Sequence, residues 1–460
     1  MVMLSRDVRF HNDEALYATY ARAIALHGDY LIRTAPVPLD KPPLGLAITA
    51  LGFTAFGVNE FGGRLPTVFV SAIALSLCYR LGRRLYNEGH AQVAMLLLAL
   101  SPFELAFAAT LFHDPLLTLW LLLVTWGCTT GRWRVVGVAT ALSLATKQSA
   151  VQFLPVFALV GMAAGGPTNW QGMRKLWLPL LVGVGLLALW SVARAAPVDF
   201  WTLGVVNPGQ LRLIRADEVI PRLARWLDLL GVAVGQPPLL PLLLLPLIAV
   251  LVARRSRAGL VDSAIGVGVI GTLLLYWLLA YNLYDRYLVP LVPLVLLLLA
   301  RAVRLIPRRA RLNSIATALV VILMLPTLHQ TLTTGVGIGG DQGANRDIRQ
   351  LAAHLRSLPP EAIIHQFWLD WTLGFYAGDP FTVALPTLLF QPSPEALIRA
   401  VCGQPRGAHY LALPAALVPR WIAVLRAGKA TIQPLLESSV GLYRVTCAQA
   451  TSSEATLPPF

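Results

Sequence analysis

Charge is scarce in this chain. Only 13% of its 460 residues are Asp, Glu, Lys or Arg, against about 25% in an ordinary soluble protein. With 56% hydrophobic residues and a mean hydropathy of +0.64, that shortage excludes a soluble globular chain and indicates a polytopic α-helical membrane protein. The four cysteines fall at Cys78, Cys128, Cys402 and Cys447, so no CxxC pair exists. No HExxH occurs either, and zinc sites of those kinds are excluded. A Gly-rich phosphate loop is also missing, which leaves nucleotide hydrolysis without support. The start, Met1-Val2-Met3-Leu4-Ser5-Arg6-Asp7, holds neither a signal peptide nor a signal anchor.

Acidic residues are scarcer than basic ones, 23 against 37, for a formal charge of +14. The arginines recur in short clusters between apolar segments, which is the habit of cytoplasmic membrane loops and not of a nucleic-acid surface. Segments able to enter a bilayer lie near 66–85, 91–110, 115–130, 135–146, 149–164, 177–196, 237–253, 260–282, 287–303 and 312–328, given about 20 residues per span. The pair 135–146 and 149–164 is short and reads as a membrane-embedded hairpin with its tip at Thr146-Lys147-Gln148.

Clusters at Arg80 to Arg84, Arg132 to Arg134, Arg174-Lys175, Arg254 to Arg257 and Arg301 to Arg311 occupy alternate connections. Calling these cytoplasmic puts 1–65, 111–114, 197–236, 283–286 and 329–460 on the external side. Residues 43–58 read as an amphipathic helix in the external interface, with a true span as the alternative by length and hydropathy. The stretch 197–236, with Trp201 and Trp226 among its charges, reads as a lid over a surface cavity or as an interfacial segment.

From about 329 the composition becomes that of a small soluble domain. Helical spacing runs over Ala344 to Leu358, Pro394 to Val401 and Pro414 to Arg426, and strand patterns over Ala362 to His365, Tyr410 to Leu413 and Leu442 to Val445. This alternation predicts an external α/β domain. The expected division is 1–65 as an external first loop, 66–328 as the multi-span domain, 329–448 as the soluble domain and 449–460 as a loose tail. Cys402 and Cys447 share the external domain, where oxidising conditions permit a disulfide.

Polar chemistry concentrates before the first long apolar run. Asp13-Glu14 precedes Tyr17 by one helical turn, which puts Asp13 and Tyr17 on one face. In Asp40-Lys41-Pro42-Pro43 the lysine precedes a proline and is pushed to an extended conformation, so its ammonium stands at a stiff corner. Arg64 sits in Phe61-Gly62-Gly63-Arg64-Leu65-Pro66. His113-Asp114-Pro115 opens the 115–130 span; Asp114 serves as an N-cap, as a site carboxylate, or as both. Glu104 inside the 91–110 span and His113 are further candidates, Glu104 being either functional or neutral and hydrogen-bonded between helices. Lys147 and Arg286 reach the external face, as substrate contacts or as snorkelling anchors.

The ordered set Asp13-Glu14, Tyr17, Gly28-Asp29, Asp40-Lys41-Pro42-Pro43-Leu44, Phe56-Gly57, Arg64-Leu65-Pro66, Ser101-Pro102, Asp114, Thr146-Lys147, Pro155 and Arg286-Tyr287-Leu288 with Pro290 resembles the GT-C-class membrane glycosyltransferases. The branch is that of the protein O-mannosyltransferases and the lipid A aminoarabinose transferases. The resemblance implies an inverting transfer of a sugar from a polyprenyl-phosphate donor to a lipid, glycan or protein acceptor, outside a bacterial inner membrane. It implies Asp13 and Asp114 as catalytic carboxylates and Lys41 near the carrier phosphate. Glu14, Tyr17, Asp40, Arg64, Lys147 and Arg286 would then bind substrate. No cofactor is specified, a divalent metal stays open, membrane lipids are partners and nucleic acid is not. Leu16 stands where the lipid A branch often has Arg, Asp40 where Glu is usual and Gln148 where Gly is usual. These departures bear on the substrate.

The chemistry suits the residues independently. Attack of an acceptor hydroxyl needs a general base, and the departing phosphate needs cations. A transporter would show midplane charges and internal repeats, and a noncatalytic scaffold would show no transfer at all; a transfer assay with a polyprenyl-phosphate donor separates the three.

An external 1–65 with no export signal calls for a further apolar span encoded in frame upstream of Met1. Reading those codons checks it: a stop directly before Met1 with no apolar frame beyond overturns the expectation.

Overall fold

The structure is a computed structural model that describes residues 4, 8–34, 39–165, 170–196, 199–206, 212–252, 256–305, 310–379, 383, 386–403 and 408–447. The expected tail at 449–460 lies outside the described residues, as do parts of the basic clusters at 254–257 and 301–311. The chain forms two compact units. One gathers Tyr20–Gly340 and the other joins Asp7–Thr19 to the residues from Asp341 on.

The first unit is helical. Its helices are the later part of α1 (Asn12–His27), then α2 (Pro43–Phe56), α3 (Glu60–Leu85), α4 (Glu88–Leu100), α5 (Pro102–Ala108), α6 (Asp114–Thr130), α7 (Trp133–Thr146) and α8 (Ala150–Ala163). They continue with α9 (Trp170–Arg194), α10 (Phe200–Val206), α11 (Val219–Ala233), α12 (Leu244–Val252), α13 (Arg257–Leu278), α14 (Val292–Leu305) and α15 (Ala310–Thr333). Among the described residues five helices are long and apolar enough to cross a membrane, or up to seven if two bent pairs each count as one span. The chain is an integral membrane protein. On α9 the apolar side chains Leu178, Leu181, Leu186 and Leu189 are exposed, as a lipid-facing helix requires. By contrast α14 buries Leu294, Leu296, Leu297 and Leu299 and forms the centre of the unit.

Local chemistry sets the helix ends. Asn59 caps α3 by accepting from Gly62 N–H, Asn87 caps α4 through His90 N–H, and Ser256 caps α13 through Gly259 N–H. Gly131, at φ 66°, closes α6 in the left-handed conformation that glycine adopts without penalty.

Of the expected spans, 66–85, 177–196, 260–282, 287–303 and 312–328 appear as helices long and apolar enough to cross, α6, α7 and α8 are shorter, and three further segments depart from the expected form. The 91–110 segment is two helices bent by 57°, because Pro102 has no N–H to continue the ladder after the extended Ser101. The 237–253 segment opens as a 3₁₀ turn over Pro237–Leu243 and bends 89° from the helix before it. The stretch 197–236 holds two helices, α10 and α11, with Trp226 buried. At 14 residues, α2 spans about 21 Å at 1.5 Å per residue, short of a hydrocarbon core of about 30 Å.

The C-terminal part of the second unit is a five-stranded mixed sheet in the order β2-β1-β3-β5-β4. Its strands are β1 (Ile363–Gln366), β2 (Thr387–Phe390), β3 (His409–Pro414), β4 (Ala430–Glu437) and β5 (Val440–Cys447). Strand β1 is parallel to β2 and β3, and β5 is antiparallel to β3 and β4. Alternate residues serve opposite faces. Ile364, Ala412 and Leu442 pack with Leu351 and Leu355 of α16 (Ile348–Ser357) and Leu373 of α17 (Asp370–Tyr376). Leu411, Leu413 and Val445 pack with Leu397 of α18 (Pro394–Gly403) and Trp421 of α19 (Val418–Ala427). Elements β2, β4 and α17 were not expected: β2 is a largely exposed edge, β4 carries Pro434 at an irregular register, and α17 is seven residues long.

Cys402 and Cys447 form a disulfide, with Cα atoms 5.5 Å apart and a sequence separation of 45. Closing a loop of that length removes up to about 4 kcal/mol of unfolded-chain entropy. Cys402→Ser should cost about 2–4 kcal/mol in that unit, followed by urea unfolding. Peptide mapping without reduction should recover the two cysteines linked; two alkylatable thiols there would end the assignment.

Candidate active site

Within the membrane unit the site grows from the turn before α2. Pro42 is extended at φ −65°, ψ 159° and Pro43 starts the helix, so Lys41 is held outside it, as the residue before a proline must be. Lys41 is buried and ion-paired with Asp40. The Asp40 carbonyl accepts from Gln148 Nε2 at 2.7 Å, and the same amide nitrogen donates to Phe200 O at 2.7 Å. Gln148, the position that departs from the family pattern, thereby ties the α7–α8 turn to α10 and to the Asp40-Lys41 corner.

Beside Gln148, Lys147 is extended at the end of α7. Its Nζ donates to Asp114 Oδ1 at 2.6 Å, with side-chain exposures of 9% and 2%. The N-cap expectation for Asp114 is corrected here. His113 holds that place, Asp114 is the first helical residue, and its carboxylate serves the lysine. The Lys147 ammonium also lies 5.7 Å over the Tyr287 ring. Arg286 stacks over Phe112 at 5.2 Å and Tyr284 at 4.8 Å. Asp285 accepts from the N–H groups of Arg286 and Gly339, each at 2.7 Å, which pins the Arg286 corner.

His113 lies at the meeting point. A Cβ on Gly45 would fall 2.5 Å from its ring, so only glycine lets α2 approach this closely. Burial, and after it the charges of Lys41, Lys147 and Arg286, hold the imidazole well below its usual pKa. Three cations, two of them paired with Asp40 and Asp114, thus neighbour one buried ring. Cations held in a water-poor site stabilise an anionic group.

Arg64 is buried in α3. Glu104 is half-buried in α5, with Ser71 of α3 as its neighbour. Asp13, Glu14 and Tyr17 belong to the first turns of α1, which pack in the second unit. There Phe10 N–H donates to Tyr376 Oη at 2.8 Å, Asn345 Nδ2 donates to Phe10 O at 3.2 Å, and the Phe10 and Phe375 rings are 5.0 Å apart. Glu14 accepts from His11 N–H at 2.9 Å. Burial raises the Asp370 pKa against a hydrogen bond from the Asn12 side chain, with Asp13 as an electrostatic neighbour. No group of three His, Cys, Asp or Glu able to hold a metal ion occurs among the described residues. Sequence reasoning missed the tying role of Gln148 and the tyrosines Tyr276 and Tyr281. The available signal was four tyrosines within twelve residues at 276–287.

A family profile described as dolichyl-phosphate-mannose-protein mannosyltransferase matches residues 40–193. An undecaprenyl phosphate-alpha-4-amino-4-deoxy-L-arabinose arabinosyl transferase of Pseudomonas aeruginosa (strain LESB58) is 29% identical over 228 residues, 44% of this chain and 39% of the relative. The chain thus spans about two fifths of that relative's length. Among solved structures, ArnT from Cupriavidus metallidurans bound to undecaprenyl phosphate superposes with a TM-score of 0.59 at 16% identity, covering 97% of this chain and 96% of that one. The oligosaccharyltransferase of Archaeoglobus fulgidus in the apo form gives 0.56 at 13%, covering 96% and 71%.

Removing one partner of the buried Lys147–Asp114 pair should be costly. Lys147→Ala is expected to lose about 3–5 kcal/mol by stranding the carboxylate, and the double variant Lys147→Met, Asp114→Asn to recover most of it. Thermal unfolding in detergent measures both; a single-variant loss below about 1 kcal/mol would remove the pair as a structural anchor.

Proposed function

We propose that this chain, which has the GT-C-class glycosyltransferase fold and is related to the arabinosyl and mannosyl transferases above, transfers a sugar from a polyprenyl-phosphate carrier to an acceptor. The acceptor is a lipid, glycan or protein at the external, periplasmic face of a bacterial inner membrane. The observation that carries the reading is the buried cluster beside His113, in which Lys147 pairs with Asp114, Lys41 pairs with Asp40 and Arg286 stacks on Phe112 and Tyr284. A departing phosphate needs positioned cations of this kind.

In the reaction the bond between the anomeric carbon and the phosphate oxygen breaks and the acceptor oxygen takes its place, inverting the centre. Charge grows on the phosphate, and Lys41, Lys147 and Arg286 stabilise it. Asp114 holds Lys147 in place, and Asp40 does the same for Lys41. Asp13 removes the acceptor proton. That assignment rests on its place in the ordered motif set and on the need for a base. Glu14, Tyr17 and Arg64 contribute to substrate binding.

Asp13→Asn keeps size and loses basicity. Transfer should fall by about 10²-fold or more while the protein stays folded and membrane-inserted. Lys41→Ala should weaken donor use as well as turnover, because a phosphate contact acts in both binding and the transition state. Purified Asp13→Asn with near-normal transfer from a polyprenyl-phosphate sugar would end the assignment of the base.

A further inference from the structure

Two hydrogen-bond donors deep in the membrane unit, the Tyr276 hydroxyl and the Trp226 indole N–H, have no partner among the described residues. Tyr276 is completely buried and Trp226 is 2% exposed. Orphaned polar groups of this kind cost about 1–3 kcal/mol each, and folded proteins keep few of them. The next residue along α13 shows that partners can be found here: Trp277 Nε1 donates to Val219 O at 2.9 Å.

Their location is specific. The two rings lie 5.4 Å apart, and Tyr276 stacks on Tyr281 at 4.8 Å and lies 5.8 Å from Tyr287. Tyr287 is the ring beneath the Lys147 ammonium, and Asp114 is an electrostatic neighbour of both Tyr276 and Tyr287. Tyr276 therefore stands one ring away from the Lys147 ammonium, with Trp226 behind it. On α13, Val269, Leu273 and Tyr276 share one face, and on α11 Trp226, Leu230 and Ala233 do the same, by the i, i+4, i+7 rule. The apolar members of both sets, with Leu288 and Val292, line a narrow apolar crevice. The crevice thus runs along the same two helix faces that carry the unsatisfied donors.

We infer that Tyr276, assisted by Trp226, contacts the donor substrate directly, its hydroxyl donating a hydrogen bond to an oxygen of the polyprenyl-linked head group. This rests on the proposed use of such a donor. A site that spends buried donors on a ligand leaves them unpaired without it and discriminates strongly against ligands lacking the acceptor. The oxygen belongs either to the phosphate or to the sugar, and both present the same acceptor chemistry.

The experiment compares wild type with Tyr276→Phe and Trp226→Phe as purified full chains in detergent. A hydroxyl with a structural partner would lower the melting temperature on removal; here Tyr276→Phe should melt at or above wild type. Titration with undecaprenyl phosphate and with polyprenyl-phosphate mannose, followed by thermal shift, should show half-saturation weakened by about tenfold in the variants. Weakening toward both lipids identifies a phosphate oxygen, and weakening toward the sugar-bearing lipid alone a sugar oxygen. Equal half-saturation in wild type and variants, or a marked drop in the melting temperature of Tyr276→Phe, overturns the contact. If neither lipid stabilises wild type, the donor assignment itself has failed and this inference falls with it.

Discussion

The cost of keeping charge in an apolar interior constrains this molecule more than any other term. An unpaired buried ion costs several kcal/mol after relaxation, so each buried charge of the membrane unit needs a reason. Two clusters illustrate different answers. Asp262 accepts from Tyr86 Oη at 2.7 Å and from Arg301 Nε at 3.2 Å, and Arg301 also lies over the Tyr86 ring. Opposite charges and neutral donors close that network on itself, as a structural tie between α13, α14 and the end of α3. Around His113 the arrangement differs, because Lys41 and Lys147 each carry a carboxylate partner while Arg286 rests on the rings of Phe112 and Tyr284.

The aromatic groups complement this arrangement. Arg286 rests on Phe112 and Tyr284, and Lys147 on Tyr287. Ring faces steady a cation without neutralising it, and Lys147 has the Asp114 carboxylate beside it as well. Proline contributes as well: Lys41 is kept out of α2 by Pro42-Pro43 and stays at the corner where Asp40 and Gln148 hold it.

Much of this was legible in the sequence because its signals are local. The spans follow from hydropathy runs, the extended Lys41 from the following proline, and the strands β1, β3 and β5 from alternation. Tertiary placement was not legible. Asp114 and Lys147 are 33 residues apart, and nothing in His113-Asp114-Pro115 separates a cap from an ion-pair partner. Gln148 appeared only as a departure from a pattern, and its two carbonyl partners come from Asp40 and Phe200. The bends at Pro102 and before Pro237 were signalled by proline, but hydropathy averaging over a span erases such breaks. Strand β2 escaped because an exposed edge has no alternation to show.

The least local feature concerns Asp13. Phe10 and Tyr376 are separated by 366 positions, yet their hydrogen bond helps fix the start of α1 within the unit formed mainly by the C-terminal sheet. Phe375 packs on the Phe10 ring, and Asn345 takes the Phe10 carbonyl. A general base must be held to within a hydrogen-bond length of the proton it removes. The turns carrying Asp13 are set by contacts with α17 and the segment before α16. Within that unit, packing against the residues just ahead of Asp13 holds the turns that carry the proposed base.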